Sequence, residues 1–301
     1  MMINPNLTII TCIYNGNRFL PEYVRCIEKL KTVLRFQLII VDDGSTDNTL
    51  EIVRNDLPYA KVLVQDNKGL PYSRNRGIYE LETDFVVFLD VDDYLDENQL
   101  ARNLQSMESD NNIDFLWSIP KFFGEVEKAF YYKVISFLKY LRITFFKNNI
   151  LKENYLVTPG NVIFRTEFLR KHGLFYNPDL TIGEDWDFFI RCFQSGRSKF
   201  SRRQFLNYRI HNGSMTNSYD LTEARLDVLE HSILQSLSPA DVKRFNKAWR
   251  LHRELSKISK SVINDTLINV CQAHLRLAYK YPLEINNYSG LLKNIIKKFY
   301  C

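Results

Sequence analysis

The first hundred residues alternate between apolar runs of strand length and helical segments, with a new strand about every 25 residues. Strands joined by helices in this way form right-handed βαβ units. The strand runs are unbroken rather than alternating, so both faces of the sheet are buried. The sequence therefore predicts an α/β fold with a mainly parallel sheet flanked by helices. The predicted strands are Leu7–Ile13, Phe36–Val41, Lys61–Val64 and Phe85–Leu89, and the helices cover Pro21–Val33, Asn48–Asn55 and Tyr72–Leu81.

Three carboxylates, Asp90, Asp92 and Asp93, directly follow the fourth of these strands. Ligands of open α/β sheets bind beyond the carboxyl ends of the strands. Asp90 and Asp92 point to the same side of an extended chain, where they would repel each other without a cation. Few oxygen ligands together with substrate phosphates suit Mg²⁺ or Mn²⁺. The alternative is that the acids of this segment only start a helix. The capping pattern of Asp96 and Gln99 fits that interpretation, but it leaves Asp90 and Asp92 unexplained.

The second strand also ends in acids, Asp42 and Asp43, and these lead into a polar turn that contains Ser45 and Asp47. Turn and capping chemistry is an equal explanation for Asp43 and Ser45. The chain has no glycine-rich dinucleotide motif and no P-loop. An EF-hand is excluded because Leu95 and Ala101 stand where its calcium loop, counted from Asp90, needs Gly and Glu.

The second half predicts a strand over Val162–Arg165, a helix that begins at Glu184 and Asp185, and a strand over Phe205–Ile210 that leads to His211. Acids at a helix start are favourable without any catalytic role. After Thr222 the pattern becomes helical, with predicted helices over Glu223–Leu237, Pro239–Asn264, Thr266–Tyr279 and Leu291–Tyr300.

Basic charge is concentrated in two segments. Residues 119–147 carry six Lys and Arg against two Glu, among nine aromatic residues, and residues 241–301 carry twelve Lys and Arg against four acids. Packing on the sheet, a membrane surface and single-stranded nucleic acid are the alternatives for the aromatic segment. No stretch is long and apolar enough to span a membrane. We expect a cytoplasmic protein, because there is no cleavable signal and the five cysteines have no metal-binding spacing.

Six short motifs, taken in order, resemble those of the family 2 glycosyltransferases, which have the GT-A fold. The resemblance covers about Leu7 to Ser214. Each motif is weak alone, and their shared order carries the resemblance. They are Thr11-Cys12-Ile13-Tyr14-Asn15, Val41-Asp42-Asp43-Gly44-Ser45-Thr46-Asp47, Ser73-Arg74-Asn75-Arg76-Gly77, Phe88-Leu89-Asp90-Val91-Asp92-Asp93, Gly183-Glu184-Asp185-Trp186-Asp187 and Tyr208-Arg209-Ile210-His211.

The resemblance implies a nucleotide-sugar site. Asp42 would accept a hydrogen bond from the imide N–H of the base, with Asp47 and Arg74 close to it. Thr11 and Tyr14 would cradle the nucleoside. Asp90 would contact the ribose or the water shell of the metal, and Asp92 and His211 would hold Mg²⁺ or Mn²⁺.

The resemblance also implies an inverting transfer. Asp185 would be the general base that takes the proton from the acceptor hydroxyl. Glu184 and Trp186 would contact the acceptor. Arg209 would pair with the diphosphate or with a core carboxylate, and the sequence leaves both open.

The implied protein is a metal-dependent hexosyltransferase for surface polysaccharide, with a UDP-sugar donor and a saccharide or lipid-linked acceptor. We expect a GT-A catalytic domain over residues 1–218, with a nucleotide-sugar half 1–118 and an acceptor half 119–218, and a helical C-terminal extension over 219–301. A membrane or dimer contact of the extension stays open. A non-catalytic saccharide-binding module is the rival interpretation. A nucleic-acid partner is not expected, because the acidic core would repel phosphates.

Overall fold

The computed structural model describes residues 6–124, 150–151, 154–211 and 222–261. Its main sheet has seven strands in the order β3-β2-β1-β4-β8-β6-β9. Strands β1 to β4 run parallel, β8 is antiparallel to both β4 and β6, and β6 is parallel to β9. The prediction of an α/β fold with a mainly parallel sheet is confirmed. The strands are β1 Leu7–Ile13, β2 Phe36–Asp42, β3 Lys61–Val64, β4 Phe85–Phe88, β6 Phe115–Trp117, β8 Val162–Arg165 and β9 Ser198–Phe200.

A second sheet of three short strands has the order β5-β10-β7, with β5 Tyr94–Leu95, β7 Lys121–Gly124 and β10 Leu206–Ile210. Strand β10 was predicted, as Phe205–Ile210, whereas β5 and β7 were not. Strand β5 has only two residues, which is too short for a periodic pattern. This sheet joins the chain just after the Asp90–Asp93 turn to the strand that leads into His211.

Helices flank the sheet, and their bounds agree with the predicted ones to within a few residues at the ends. Helix α1 shows why they form, since Leu20, Tyr23, Ile27 and Leu30 repeat every three or four residues and are all fully buried. The helices are α1 Leu20–Lys31, α2 Thr49–Asp56, α3 Leu70–Tyr79, α4 Glu97–Glu108, α5 Thr166–Lys171, α6 Glu184–Ser195, α7 Glu223–Ser236 and α8 Pro239–Ser261, with a 3₁₀ turn at Pro159–Asn161.

Helix α3 lies very close to the first strand, and this placement sets the site described below. A Cβ atom added to Gly77 would lie 2.6 Å from the Ile10 side chain, so glycine allows the close approach. The two faces of β1 and β4 are both covered, as the unbroken apolar runs require.

The chain divides into two compact units, residues 1–233 and 234–301, so the boundary between them falls within α7. The domain division at residue 218, with its two catalytic halves, stays a prediction. Most of the aromatic-basic segment 119–147 and the predicted helices Thr266–Tyr279 and Leu291–Tyr300 lie outside the described residues. No helix in the described ranges is long and apolar enough to cross a membrane.

Candidate active site

The site is built where parallel strands β2 and β4 end. Asp42 is the last residue of β2, and Asp90 follows β4 by two residues. Strand β1 lies between these strands. At about 4.8 Å per strand, their ends lie roughly 10 Å apart on one edge of the sheet. The fold therefore brings both acidic segments to the same edge, as the sequence predicts.

Asp42 is buried, and one of its carboxylate oxygens has no partner. Its side chain is 2% exposed, and Oδ1 accepts no hydrogen bond within the described part of the chain. Buried polar atoms are nearly always hydrogen-bonded, because leaving one unbonded costs about 1–3 kcal/mol. An N–H group of a ligand would satisfy this oxygen.

The neighbouring acids make local contacts instead. Asp43 accepts hydrogen bonds from the backbone N–H groups of Lys68 and Gly69, at 2.9 and 2.8 Å, and from the Gln65 side chain. Asp47 accepts from the backbone N–H of Thr49 at the start of α2. Both acids therefore hold loops in place, as the turn-and-capping alternative describes for Asp43.

Gly44 lets the chain between these two acids turn. Its φ is +78°, and an added Cβ would lie 2.8 Å from the backbone nitrogen of Asn67. A side chain would therefore be both strained and too close to the neighbouring loop. Ser45, beside it, accepts a hydrogen bond from the backbone N–H of Asn15 at 3.0 Å, which joins the ends of β1 and β2.

Arg74 on α3 is buried among three carboxylates. Its Nη1 lies 2.5 Å from Oδ1 of Asp185 and 3.7 Å from Oε1 of Glu184, and its Nη2 lies 3.5 Å from Oδ1 of Asp90. From the sequence we expected Arg74 to lie beside Asp42 at the nucleobase. The structure instead bonds its guanidinium to the predicted general base, which sequence spacing could not reveal because Asp185 is 111 residues away.

Electrostatics in this cluster follow from burial and from the single cation. Burial raises the pKa of Asp185 well above its ordinary value, Arg74 opposes the shift, and Glu184 and Asp90 add to it. Burial likewise raises the pKa of Asp90, again opposed by Arg74. For Arg74, burial acts to lower the pKa, but Asp185 and the other carboxylates raise it above its usual range. Arg74 is therefore charged and favours the ionised form of Asp185.

Helix α6 supplies Asp185 in its first turn, after Gly183 in the left-handed conformation. Asp187, two residues on, is buried and pairs with Arg191 at 2.7 Å and with the Ser232 hydroxyl at 2.8 Å. Asp187 therefore has the purely structural role that is the alternative for acids at a helix start. Asp185 has its strong contact with Arg74 outside the helix, which leaves its second oxygen for other partners.

Asp92 lies on the other side of the acidic turn and contacts His211. Oδ2 of Asp92 and Nε2 of His211 are 2.9 Å apart, and both side chains are partly exposed. Arg209 fixes the turn, since its backbone N–H donates to Asp93 at 2.8 Å and its Nε donates to the Asp92 carbonyl at 2.9 Å. The guanidinium of Arg209 also pairs with Glu22.

The Asp92–His211 pair fits a divalent metal site of the kind expected. A carboxylate oxygen and an imidazole nitrogen are both ligands of Mn²⁺. No group of three or more metal-binding side chains occurs within the described ranges. Mg²⁺ and Mn²⁺ sites in nucleotide enzymes use one or two side chains and complete the shell with substrate phosphates and water. The donor set is therefore sufficient only together with a phosphate-bearing ligand.

A strained turn shortly before the antiparallel strand β8 lies close to Asp90. Val157 has a φ of +75°, and the Thr158 N–H donates to the Leu156 carbonyl at 3.0 Å, which makes a γ-turn. This conformation is costly for a β-branched residue. It places the Thr158 hydroxyl 3.5 Å from Oδ2 of Asp90. Thr158 was not among the site residues predicted from the sequence.

One of the predicted contacts needs correction. Thr11 is fully buried, and its hydroxyl bonds to the Tyr23 hydroxyl at 2.7 Å, so its side chain faces α1 and not the site. Trp186 is 5% exposed, and its indole N–H donates to the Ile150 carbonyl at 2.5 Å; its contact with an acceptor stays a prediction. Tyr14 is 52% exposed at the end of β1, where it is accessible to a ligand.

Alternation along β1 could have corrected the expectation for Thr11. If Thr11 faces α1, then Cys12 faces the opposite side of the sheet. Burial raises the pKa of Cys12 to about 12, and Arg74, Asp90 and Asp43 are the charged groups that act on it. Cys12 is therefore a neutral thiol within the acidic site, and sequence reasoning missed it.

Comparison with known proteins agrees with this geometry. The model of the family described as "Glycosyl transferase family 2" matches residues 8–173. The chain belongs to glycosyl transferase family 2. The structure of Staphylococcus aureus TarS residues 1–349 in complex with UDP-GlcNAc is similar over 98% of this chain and 93% of that one, with a TM-score of 0.60 and 19% identity. The GT-A type of the fold is thereby confirmed.

Other relatives include glycosyltransferases of different lengths. A teichoic acid poly(glycerol phosphate) polymerase of Staphylococcus epidermidis is 27% identical over 86% of this chain, which spans 36% of that protein. An uncharacterised glycosyltransferase of Haemophilus influenzae is 24% identical over 98% of this chain and 96% of its own length. The Pyrobaculum calidifontis mannosyltransferase PcManGT, solved with GDP-Man and Mn²⁺, has a TM-score of 0.55 and 14% identity.

Proposed function

We propose that this family 2 glycosyltransferase moves a hexose or hexosamine from a UDP-sugar to a hydroxyl of a saccharide or lipid-linked saccharide, with inversion at the anomeric carbon. The single observation that carries the proposal is the placement of two carboxylates near one edge of the sheet: Asp42 is buried at the end of β2, and the partly exposed Asp185 is joined through Arg74 to Asp90 after β4. Asp42 has an unbonded oxygen, and Asp185 is held by Arg74. The first suits a base N–H, and the second suits an acceptor hydroxyl.

Asp42 would select the base. Its open Oδ1 would accept the imide N–H of uracil, a contact that a carboxylate makes well. Tyr14 is exposed at the neighbouring strand end and would pack against the nucleoside. The donor class also draws support from TarS, whose structures are described as complexes with UDP-GlcNAc and with UDP.

Asp185 would serve as the general base in a single displacement. The acceptor oxygen forms a bond to the anomeric carbon, and its proton passes to the free oxygen of Asp185. The bond between the anomeric carbon and the diphosphate breaks, and the diphosphate leaves with the electron pair. A positioned general base contributes about 10²–10⁴-fold to such a rate. Glu184, beside Asp185, would bind acceptor hydroxyls.

Asp92 and His211 would hold the divalent ion, and Asp90 would contact the ribose or the water shell of that ion. When bound, Mg²⁺ or Mn²⁺ supplies charge neutralisation for the leaving diphosphate. The chain's own contribution is to place the carboxylate and the imidazole 2.9 Å apart beside the donor edge. Arg209 keeps this turn rigid through the backbone of Asp92 and Asp93.

The acceptor proposal rests on relatives. One relative is the teichoic acid poly(glycerol phosphate) polymerase of Staphylococcus epidermidis, and another is the poly(ribitol-phosphate) β-N-acetylglucosaminyltransferase TarS. We extend from these names only the class, a polymer or lipid-linked saccharide of the cell surface. Contact with a membrane or with a second copy of the chain remains a prediction from the basic segments, which lie mostly outside the described residues.

Release of UDP from a panel of UDP-sugars tests the proposal. The full chain with Mn²⁺ should release UDP from at least one of UDP-glucose, UDP-galactose and UDP-GlcNAc, faster with saccharide acceptors than with water alone. Excess EDTA should abolish the release, and added Mn²⁺ should restore it. Tight UDP binding without turnover of any donor would instead favour the non-catalytic saccharide-binding module.

A further inference from the structure

A role in binding the nucleobase does not explain the ion pair that Arg74 makes with Asp185. Its guanidinium is 3% exposed and makes its shortest ion pair, 2.5 Å, with Asp185. The two groups come from α3 and α6, so the pair joins the donor half of the sheet to the segment that carries the general base. A buried pair of this kind exists only if the surrounding structure holds both partners in place.

The chain holds Arg74 from the opposite side as well. The guanidinium lies over the ring of Tyr176, 5.1 Å from its centroid. That ring is stacked on Phe188 of α6 at 4.1 Å, with an interplanar angle of 11°. Arg74 is therefore enclosed between an aromatic face and the carboxylates, which limits it to one geometry.

Asn75 fixes Tyr176 in this place. Its side-chain amide donates to the Tyr176 carbonyl and accepts from the Tyr176 N–H, both at 2.7 Å. The two hydrogen bonds imitate the pairing of a strand. Arg74 and Asn75 thus act together. Asn75 holds Tyr176 in place, and Arg74 lies over the Tyr176 ring and contacts Asp185.

We propose that Arg74 is a positioning residue for the general base: it orients the Asp185 carboxylate and keeps it able to accept a proton, with Asn75 and Tyr176 holding Arg74 in place. This inference rests on the proposed function and gives Arg74 a role different from the nucleotide contact that the sequence suggests. Arg74 would contact the Asp185 carboxylate and would touch neither the nucleobase nor the reacting atoms of the substrates.

The charges around Asp185 show why a cation is needed there. The groups that face it are Arg74 from α3, Asp90 from the turn after β4, Glu184 from its own helix and the Tyr176 ring. Two of these are acids, and burial also disfavours the carboxylate form. Without Arg74, Asp185 would bind a proton at a pH where the wild-type group is ionised.

The kinetic test compares Arg74→Met, Arg74→Lys and Arg76→Met over a range of pH. Arg76 is a matched control, since it lies on the same helix but donates to the Val64 carbonyl. For Arg74→Met, the acidic limb of kcat/KM should move upward by about one pH unit or more, equivalent to a tenfold change in proton affinity. Activity should recover at alkaline pH. Arg74→Lys should show a smaller shift, and Arg76→Met none.

UDP affinity in the presence of Mn²⁺ provides the second measurement. It should stay within about threefold of wild type in Arg74→Met, because a positioning residue acts on the acceptor side. A loss of UDP affinity of tenfold or more, or an activity loss that is the same at every pH, would overturn the proposal and return Arg74 to the nucleotide site.

A double-mutant cycle in urea unfolding needs no turnover. It uses wild type, Arg74→Met, Asp185→Asn and the double variant of the full chain. The effects of the two substitutions on the unfolding constant should depart from independence by a factor of about ten or more. A coupling factor near one would refute the contact. If coupling is present and no donor reacts, the proposed function fails. If a donor reacts and the pH limb does not move, the positioning role fails.

Discussion

Two carboxylates of the site, the buried Asp42 and the partly exposed Asp185, differ in how they are satisfied. Asp42, at the end of β2, keeps an oxygen with no hydrogen-bond donor within the described residues. Asp185, at the start of α6, is bonded at 2.5 Å to a buried arginine. The first is completed only by a ligand, and the second is completed by the fold. In the proposed function, the first region binds the donor and the second is organised in advance for chemistry.

The difference has opposite consequences for stability. An unbonded buried acceptor costs about 1–3 kcal/mol until a donor reaches it. Removing one partner of a buried ion pair lowers the stability of a protein by about 3–5 kcal/mol, because the other charge is left without compensation. Substitution at the two sites should therefore separate binding, turnover and folding.

The largest effect is expected at the base end. Asp185→Asn should reduce transfer by about 10²–10⁴-fold, since the amide cannot take the acceptor proton. UDP affinity should change little, because Asp42 and the metal ligands are intact. Activity assays and UDP titration on the same preparation measure both. Full turnover in this variant would show that the second region is not catalytic.

An intermediate effect is expected at the binding end. Asp42→Ala should weaken UDP binding by about 10–100-fold, the value of a hydrogen bond to a charged group. The free protein should be no less stable, because the unbonded carboxylate is gone. Asp110→Ala is the matched control: it loses a hydrogen bond from the Asn112 N–H and about 1 kcal/mol of stability, with UDP affinity nearly unchanged. Equal losses of UDP affinity in both variants would remove the distinction.

The smallest effect is expected where the regions meet. Thr158→Val removes a hydroxyl that lies 3.5 Å from Asp90, with nearly the same side-chain shape. We expect a loss of kcat of about two- to fivefold, since a net hydrogen bond contributes about 0.5–1.5 kcal/mol. Steady-state kinetics with UDP-sugar would measure it. A loss as large as that of Asp185→Asn would mean that the 157–158 turn belongs to the base end.

The sequence predicted the strand ends well because the signals are local. The unbroken apolar run before Asp90 and the polar turn after Val41 fix both the strands and the edge where their acids lie. The order β3-β2-β1-β4 follows from short right-handed crossovers. Asp42 could therefore be placed without coordinates, although its unbonded oxygen could not.

The base end depends on contacts between distant segments, and these were missed. Arg74 meets Asp185 and Asn75 meets Tyr176 across more than a hundred residues. Nothing in local periodicity indicates such pairs. Thr11 was misplaced for a related reason, since a motif gives the position of a residue along the chain but not the side to which it points.

The most direct test of the central claim is a crystal structure of the full chain with UDP and Mn²⁺. The account predicts the uracil imide N–H within hydrogen-bond distance of Oδ1 of Asp42, the ion on Asp92, and the Arg74–Asp185 pair unchanged from the free protein. Uracil bound away from Asp42, with Arg74 released from Asp185 to contact the nucleotide, would contradict the division between a region that binds and a region that reacts.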